Sequence, residues 1–386
     1  MRRIVATATV AMALGSSLLV SAGGAASSPR TSAPRTSPSA VLACAQQLVA
    51  NWSDVQLADE TVAVSMNAMN VGALAPAARA GYGAILLFGN RAPTSLAAIL
   101  HTLQRERTDT VTTLVMTDAE GGGVERLSNV LAPLPWAQTM GKNLNDAQIS
   151  AEGARLGRTM LGAGLNVDLA PVADLDARAV VPSATDADGL RAFGALPASV
   201  SGDVVAFEEG LESVGVLGTI KHFPGLGGAS MNTDFGPAHT LNWATLQASA
   251  LLPYRAAIAH TNAMVMVSNA SVPGLTPLPA SISTDVMTYL RSTMHFGGLI
   301  MTDALSAVAL SARHLSVAAA SVDALIAGAD LVLAGNPTSP AAALAQANAT
   351  AHAIEAALAT SSLSRATLAL AAAHVVAARS ALHCAA

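Results

Sequence analysis

Only two cysteines occur in the 386 residues, Cys44 and Cys384, so at most one internal disulfide can form. Charge is scarce as well. Charged residues make up 12% of the chain against 52% hydrophobic, which excludes global disorder and leaves material for a large core. A basic excess is missing: a net charge of −5 offers no field for a phosphate backbone and excludes nucleic acid as a partner. Beyond the first 26 residues no apolar run reaches the roughly 18 residues of a membrane span, so stable membrane insertion is not expected. The glycine runs EGGG (120–123) and GLGG (225–228) lack the G-x-G-x-x-G spacing and a following Lys-Ser/Thr, which argues against a phosphate loop. The first predicted strand carries no paired histidines, so a metal-dependent hydrolase is disfavoured, and nothing calls for a cofactor or metal.

What is present begins with an export signature. Met1-Arg2-Arg3 precedes an apolar, Ala-rich stretch (4–20), and small residues follow at 20–22 and 24–26. Residues 1–26 are therefore read as a cleaved signal peptide and 27–43, rich in Ser, Pro and Thr, as a disordered linker. The expected location is secreted or extracytoplasmic, within the cell envelope. No cysteine stands at the junction to take a lipid. In that compartment Cys44 and Cys384 are plausible disulfide partners, and closing so long a loop contributes up to ~5 kcal/mol.

Residues 44–386 show no break in composition and read as a single domain. Short apolar runs recur eight times: TVAVSM (61–66), GAILLF (83–88), TLVMT (113–117), NVDLAPV (166–172), GVLGTI (215–220), AMVMVS (263–268), GLIMT (298–302) and DLVLAG (330–335). Ala- and Leu-rich helical segments alternate with them. Continuous apolar strands alternating with helices indicate a covered parallel sheet, and eight units in this length predict a closed (β/α)8 barrel. Closure would bring the two ends of the domain, and with them the two cysteines, together.

In such a barrel the residues just past the strand ends line the active site. Those positions hold Asn67, Asn90, Asp118, Glu120, Asp168, Asp174, Lys221-His222, Ser268-Asn269, Asp303 and Asn336. Carboxylates, amides and cations at one mouth suit a hydroxyl-rich ligand. Asn67, Asn90 and Asn336 also read as helix caps. The stretch KHFPGLG (221–227) is placed as the end of the fifth strand and a loop free to fold over a ligand.

These residues carry a resemblance. KHFPGLG followed by a short polar loop resembles the signature of family 3 glycoside hydrolases, and most nearly that of the bacterial β-N-acetylglucosaminidases. TDAEGGGVERL (117–127), LNVDLAPVADLD (165–176), RAFG (191–194) and GGLIMTDAL (297–305) resemble four further motifs of that family, in the family's order. The resemblance implies a retaining hydrolase of terminal β-linked N-acetylglucosamine, with Asp303 as nucleophile. It places Asp118, Arg126, Arg191, Lys221 and His222 against the sugar. Arg126 and Arg191 also read as structural partners for Asp174 or Asp176.

The sequence departs from the family at its proton donor. Where the acetylglucosaminidases carry a loop histidine this chain has Asp234, the best candidate for the acid/base, with His239 as a substitute. Leu226 replaces another family histidine and Gly123 a family arginine. An ordinary aspartate titrates near 4, so Asp234 would need a dry or like-charged setting to hold its proton. The rival reading is a non-catalytic glycan-binding protein on an altered hydrolase scaffold. A monomer acting on cell-wall fragments is expected.

Overall fold

The computed structural model describes residues 38–107 and 111–379. All eight apolar runs contain a strand: β1 Val62–Asn67, β2 Ala84–Phe88, β3 Leu114–Thr117, β4 Val167–Asp168, β5 Thr219–Phe223, β6 Met264–Val267, β7 Ile300–Thr302 and β8 Val332–Leu333. Their side chains alternate between two cores, as a period of two requires. Ala63, Leu86, Leu114, Met116, Val167, Met264, Met266, Leu299, Met301, Leu331 and Leu333 form an inner cluster. Val62, Val64, Ile85, Leu87, Val115, Val265, Val267, Ile300 and Val332 belong to an outer core shared with the helices.

The closed eight-stranded barrel expected from the sequence is corrected by the pairing. The strands form a parallel arc of five, in the order β8-β1-β2-β3-β4, and a parallel arc of three, β7-β6-β5. The arcs touch through isolated bridges, Val167 to Leu217 at one seam and Met301 to Leu331 at the other. The seams fall at the shortest strands. β4 and β8 have two residues each, and Pro171, just past β4, has no N–H for a ladder.

Helices cover the outer faces. Those at Asp146–Ala163 and Pro197–Glu212 pack closely because small residues meet: a Cβ on Gly153 would stand 2.5 Å from the Phe207 carbonyl oxygen. The helical segment after β5 contains a π-helical turn at Leu246–Ala250 before Leu251–His260. The C-terminal Ala-rich stretch divides into helices Pro340–Ala359 and Arg365–Ala377. Val375 from the last of these joins the inner cluster beside Gly83 at the start of β2, closing the base.

A helix at Pro38–Val49 begins inside the stretch 27–43 read as linker, so the linker ends earlier than expected. Ala45 and Val49 are buried on one face, which gives this segment the packing that the polar residues before it lack. This helix packs against Arg365–Ala377, and Arg365 Nε donates to Asp54 Oδ1 at 2.8 Å. The two ends of the domain are thus neighbours. The stretch read as a signal peptide, most of that read as linker, and Cys384 lie outside the described residues. No helix among the described residues is long and apolar enough to cross a membrane.

Candidate active site

Strand parity builds the site. Continuing each inward-facing row by two residues leads from Met116 to Asp118, from Met301 to Asp303 and from Thr219 to Lys221. Three ionisable groups therefore stand on the layer above the inner core, at the C-terminal ends of β3, β7 and β5. Lys221 and His222 lie within β5 rather than beyond it, because the strand runs on to Phe223. The peptide bond between them is cis.

Lys221 is buried and doubly paired: its Nζ lies 2.8 Å from Asp118 Oδ1 and 2.6 Å from Glu120 Oε1. Burial alone would lower its pKa, but Asp118 and then Glu120 outweigh it and the net direction is up. Arg191 grips Glu120 with two bonds, Nε to Oε2 at 2.7 Å and Nη2 to Oε1 at 2.8 Å. Burial pushes Glu120 up, yet Arg191 and Lys221 prevail and hold its carboxyl well below the ordinary range. Glu120 thus joins the two cations, a role not assigned to it from the sequence. The D-x-E spacing in TDAEGGG was the available signal.

His222 is held at both ring nitrogens. Its Nδ1 lies 2.8 Å from Asp174 Oδ2, and Arg191 Nη2 approaches its Nε2 at 3.3 Å. These partners assign a neutral ring that donates from Nδ1 and accepts at Nε2. Burial, reinforced by Arg191 and opposed by Asp303, pushes its pKa down to about 4. Asp174 also accepts from the backbone N–H groups of His222 at 3.0 Å and Leu226 at 2.8 Å, and from Tyr254 Oη at 3.2 Å. Burial pushes Asp174 up to about 6, against the pull of those N–H groups.

Arg191 pairs with Glu120, and Asp176 is taken by Arg178 at 2.7 Å, so the sequence-based partners for Arg191 are corrected. Arg126 has a buried Nε with no hydrogen-bond partner, while its backbone N–H binds the Asp118 carbonyl at 3.0 Å. Asp188, in the stretch between β4 and Arg191, is buried with no hydrogen bond to either carboxyl oxygen. Burial, then Asp174, pushes it well above the usual carboxylate range. Asp174, Asp188 and His222 each bring a ligand atom within 4.8 Å of the others, but Arg191, 3.9 Å from Asp188, already supplies a cation there.

Asp303 follows β7 directly. Its backbone N–H donates to the Val267 carbonyl at 2.9 Å, and its Oδ1 accepts from Ala304 N at 2.7 Å. Burial raises its carboxyl. His222 and Lys221 oppose that rise, and Asp234 adds to it. The acid after β7, the pair on β5 and the loop aspartate therefore share one electrostatic environment.

The loop after β5 is tied down rather than free. Asn232 N donates to the Ala184 carbonyl at 2.9 Å, Ser230 N to that of His239 at 2.9 Å, and Ala309 N to that of Thr233 at 3.1 Å. Leu226 is buried with Ala187, Ala238 and Ala270, a small apolar pocket that anchors the loop. Asp234 stands exposed on it. Crowding by neighbouring protein atoms pushes its carboxyl up, Arg191 pulls it down, and Asp118 pushes it up. His239 is exposed, its Nδ1 3.1 Å from the Thr240 carbonyl. At Gly123 an added Cβ would lie 2.7 Å from the Trp136 ring, so the missing arginine has no room unless that ring moves.

Parallel β/α units carrying this rim of carboxylates and cations agree with the sequence comparison. The glycosyl hydrolase family 3 N-terminal domain matches residues 47–378, and the chain belongs to that family. Among individual relatives, it is 34% identical over 231 residues to the β-hexosaminidase LpqI of Mycobacterium tuberculosis, a match covering 57% of this chain and 57% of that protein. A family 3 glycosyl hydrolase from Mycobacterium smegmatis superposes with a TM-score of 0.77 at 29% identity, covering 87% of this chain and 99% of that one. A β-N-acetylhexosaminidase from Beutenbergia cavernae gives 0.74 at 29% identity, covering 85% and 99%.

Proposed function

We propose that the protein is an exported glycoside hydrolase that releases terminal β-linked N-acetylglucosamine with retention, Asp303 acting as nucleophile and Asp234 as acid/base. The observation that carries this reading is the placement of Asp303 at the end of β7, in electrostatic contact with Lys221, His222 and Asp234. In the first step the Asp303 carboxylate forms a bond to the anomeric carbon while the glycosidic oxygen leaves with the Asp234 proton. In the second, Asp234 removes a proton from water, which attacks the same carbon and frees Asp303. Lys221, Asp118, Arg191 and the uncommitted Nε of Arg126 offer charged partners for sugar hydroxyls and an acetamido oxygen. Neutral His222, held by Asp174, positions rather than transfers protons. The names of the relatives support this substrate class. Export suggests that cell-wall fragments are the source.

The exposure of Asp234 favours a second reading, glycan binding without turnover, since an open carboxyl has less reason to keep its proton. Hydrolysis of a fluorogenic N-acetylglucosaminide by the purified protein, with Asp303→Asn as control, separates the two. Turnover lost in the variant supports the hydrolase. Sugar binding with no turnover between pH 4 and 8 supports the alternative and removes Asp303 from the mechanism.

A further inference from the structure

The charged groups described above occupy the rim from β3 round to β7. The remaining arc, at the ends of β8, β1 and β2, holds a pocket of about 400 Å³ lined by Asn67, Asn70, Phe88, Asn336 and Pro337 among others, with no ionisable side chain. That volume lies in the range of small-ligand sites. We propose that this pocket receives the sugar on the leaving side of the scissile bond, and that it selects a neutral sugar bearing hydroxyl or acetamido groups. The proposal rests on the reading of Asp303 as the residue that attacks the anomeric carbon.

Strand parity places two of the lining residues, Asn67 and Phe88, on the side of the mouth, while Met66 belongs to the outer row. Asn67 continues the inward row of Ala63 and Ser65 on β1, and Phe88 that of Ala84 and Leu86 on β2, as Asp118 and Asp303 do on β3 and β7. Both flanks of the pocket also touch the charged arc. On one side Leu305 N donates to the Leu333 carbonyl at 2.9 Å, and a Cβ on Gly335 would stand 2.1 Å from Ser306 Oγ. The turn after Asp303 therefore abuts the turn that carries Asn336. On the other side Leu127 N and Ser128 N donate to the carbonyls of Gly89 and Asn90, both at 3.1 Å, joining the segment after Asp118 to the turn after Phe88. A ligand with its anomeric carbon at Asp303 and one sugar among Asp118, Lys221 and Arg191 finds this pocket, lined by no ionisable side chain, as the adjoining recess of the mouth.

The lining chemistry sets the class. Asn336 is not the helix cap that the sequence suggested: Ser339 Oγ accepts from Ala342 N and caps Pro340–Ala359. Asn67 does cap, through Oδ1 and Met69 N at 3.0 Å. The exposed amides of Asn70 and Asn336 each keep one acceptor and two donors for a ligand. Phe88 and Pro337 offer apolar walls to the C–H face of a pyranose. A carboxylate on the leaving sugar would meet no cation among the lining residues.

Calorimetric titration of Asp303→Asn protein with N-acetylglucosamine and with N,N′-diacetylchitobiose tests this without turnover. The disaccharide is expected to bind at least tenfold more tightly, and adding Asn70→Ala and Asn336→Ala should remove about tenfold of that advantage while the monosaccharide affinity stays. A disaccharide advantage that survives both substitutions would overturn the assignment, as would equal affinities for the two sugars in the Asp303→Asn protein. Tighter binding of a disaccharide whose second sugar carries a carboxylate would overturn the neutral class. Failure of the wild-type protein to hydrolyse an aryl N-acetylglucosaminide counts against the proposed activity and leaves these binding ratios readable.

Discussion

Glu120→Gln probes the centre of the site because one buried carboxylate serves two buried cations. Glu120 accepts from Lys221 at 2.6 Å and from Arg191 at 2.7 and 2.8 Å. The amide keeps the shape and one acceptor, but it removes the carboxylate that the two cations share, leaves Lys221 on Asp118 at 2.8 Å and Arg191 on Asp188 at 3.9 Å, and turns an N–H₂ toward one of them. Removing one partner of a buried pair costs about 3–5 kcal/mol. The retained acceptor offsets about 1 kcal/mol of that. The expected destabilisation is therefore about 3 kcal/mol. Arg191→Met should cost a similar amount, since it strands part of the negative charge instead. The double variant leaves Lys221 its Asp118 partner, 2.8 Å away in the parent, and strands no cation beside the lost carboxylate. Its cost should then fall short of the sum of the singles by about 2 kcal/mol or more. Urea unfolding at pH 7, followed by both circular dichroism and tryptophan fluorescence, measures all three against the parent. Single costs below about 1 kcal/mol, or strict additivity, would refute the account of Glu120 as the shared counter-charge.

The pH–rate profile should be bell-shaped and displaced toward acid. Activity falls as pH drops through the raised Asp303 carboxyl, which must be ionised, and falls again as pH rises through Asp234, which must hold a proton. A profile flat up to pH 8 would remove Asp234 as donor. Asp203 is buried, and burial with Asp146 nearby raises its carboxyl from 3.8 to about 7. Between those values the folded state holds a proton that the unfolded state has lost, so stability declines from pH 4 to 7. Asp203→Asn should raise the melting temperature above pH 7, by up to about 4 kcal/mol in free energy, and change nothing below pH 4. A gain at low pH would exclude this origin. Peptide mapping of the purified protein under non-reducing conditions should recover a Cys44–Cys384 peptide, and free thiols at both positions would exclude the bridge.

The existence and order of the eight strands were legible because each is a short, continuously apolar run that must be buried on both faces. The continuity of their hydrogen bonding was not, since hydropathy does not record that two-residue β4 is followed by a proline without an N–H. The ion pairs show the same division. Lys221, Asp118 and Asp303 were singled out because polar residues at the ends of apolar runs must face a site or a partner. Glu120 and Asp174 stood in the same motifs, yet which partner each would meet, Arg191 or His222, depends on contacts 71 and 48 residues apart in sequence. Arg191 was singled out as well, and its alternative structural partners, Asp174 or Asp176, give way to Glu120 for that reason.

The departures from the family at positions 226 and 234 are physically linked. Leu226 fills a pocket made by three alanines, and in doing so it anchors the loop over Asp174, whose Oδ1 accepts from the Leu226 backbone N–H at 2.8 Å. A histidine at 226 would bring a polar ring into that apolar pocket, at a cost unless it found a partner. With Leu226 there, the loop is braced from within, and Asp234 is carried on a segment whose backbone is fixed at Asn232 and Thr233. A short carboxylate on a fixed loop reaches less far than an imidazole would. Any proton that Asp234 delivers must therefore go to a glycosidic oxygen already held close by the charged rim. Catalysis in this chain would then depend more heavily on sugar positioning by Lys221, Asp118 and Arg191 than it would with a histidine donor.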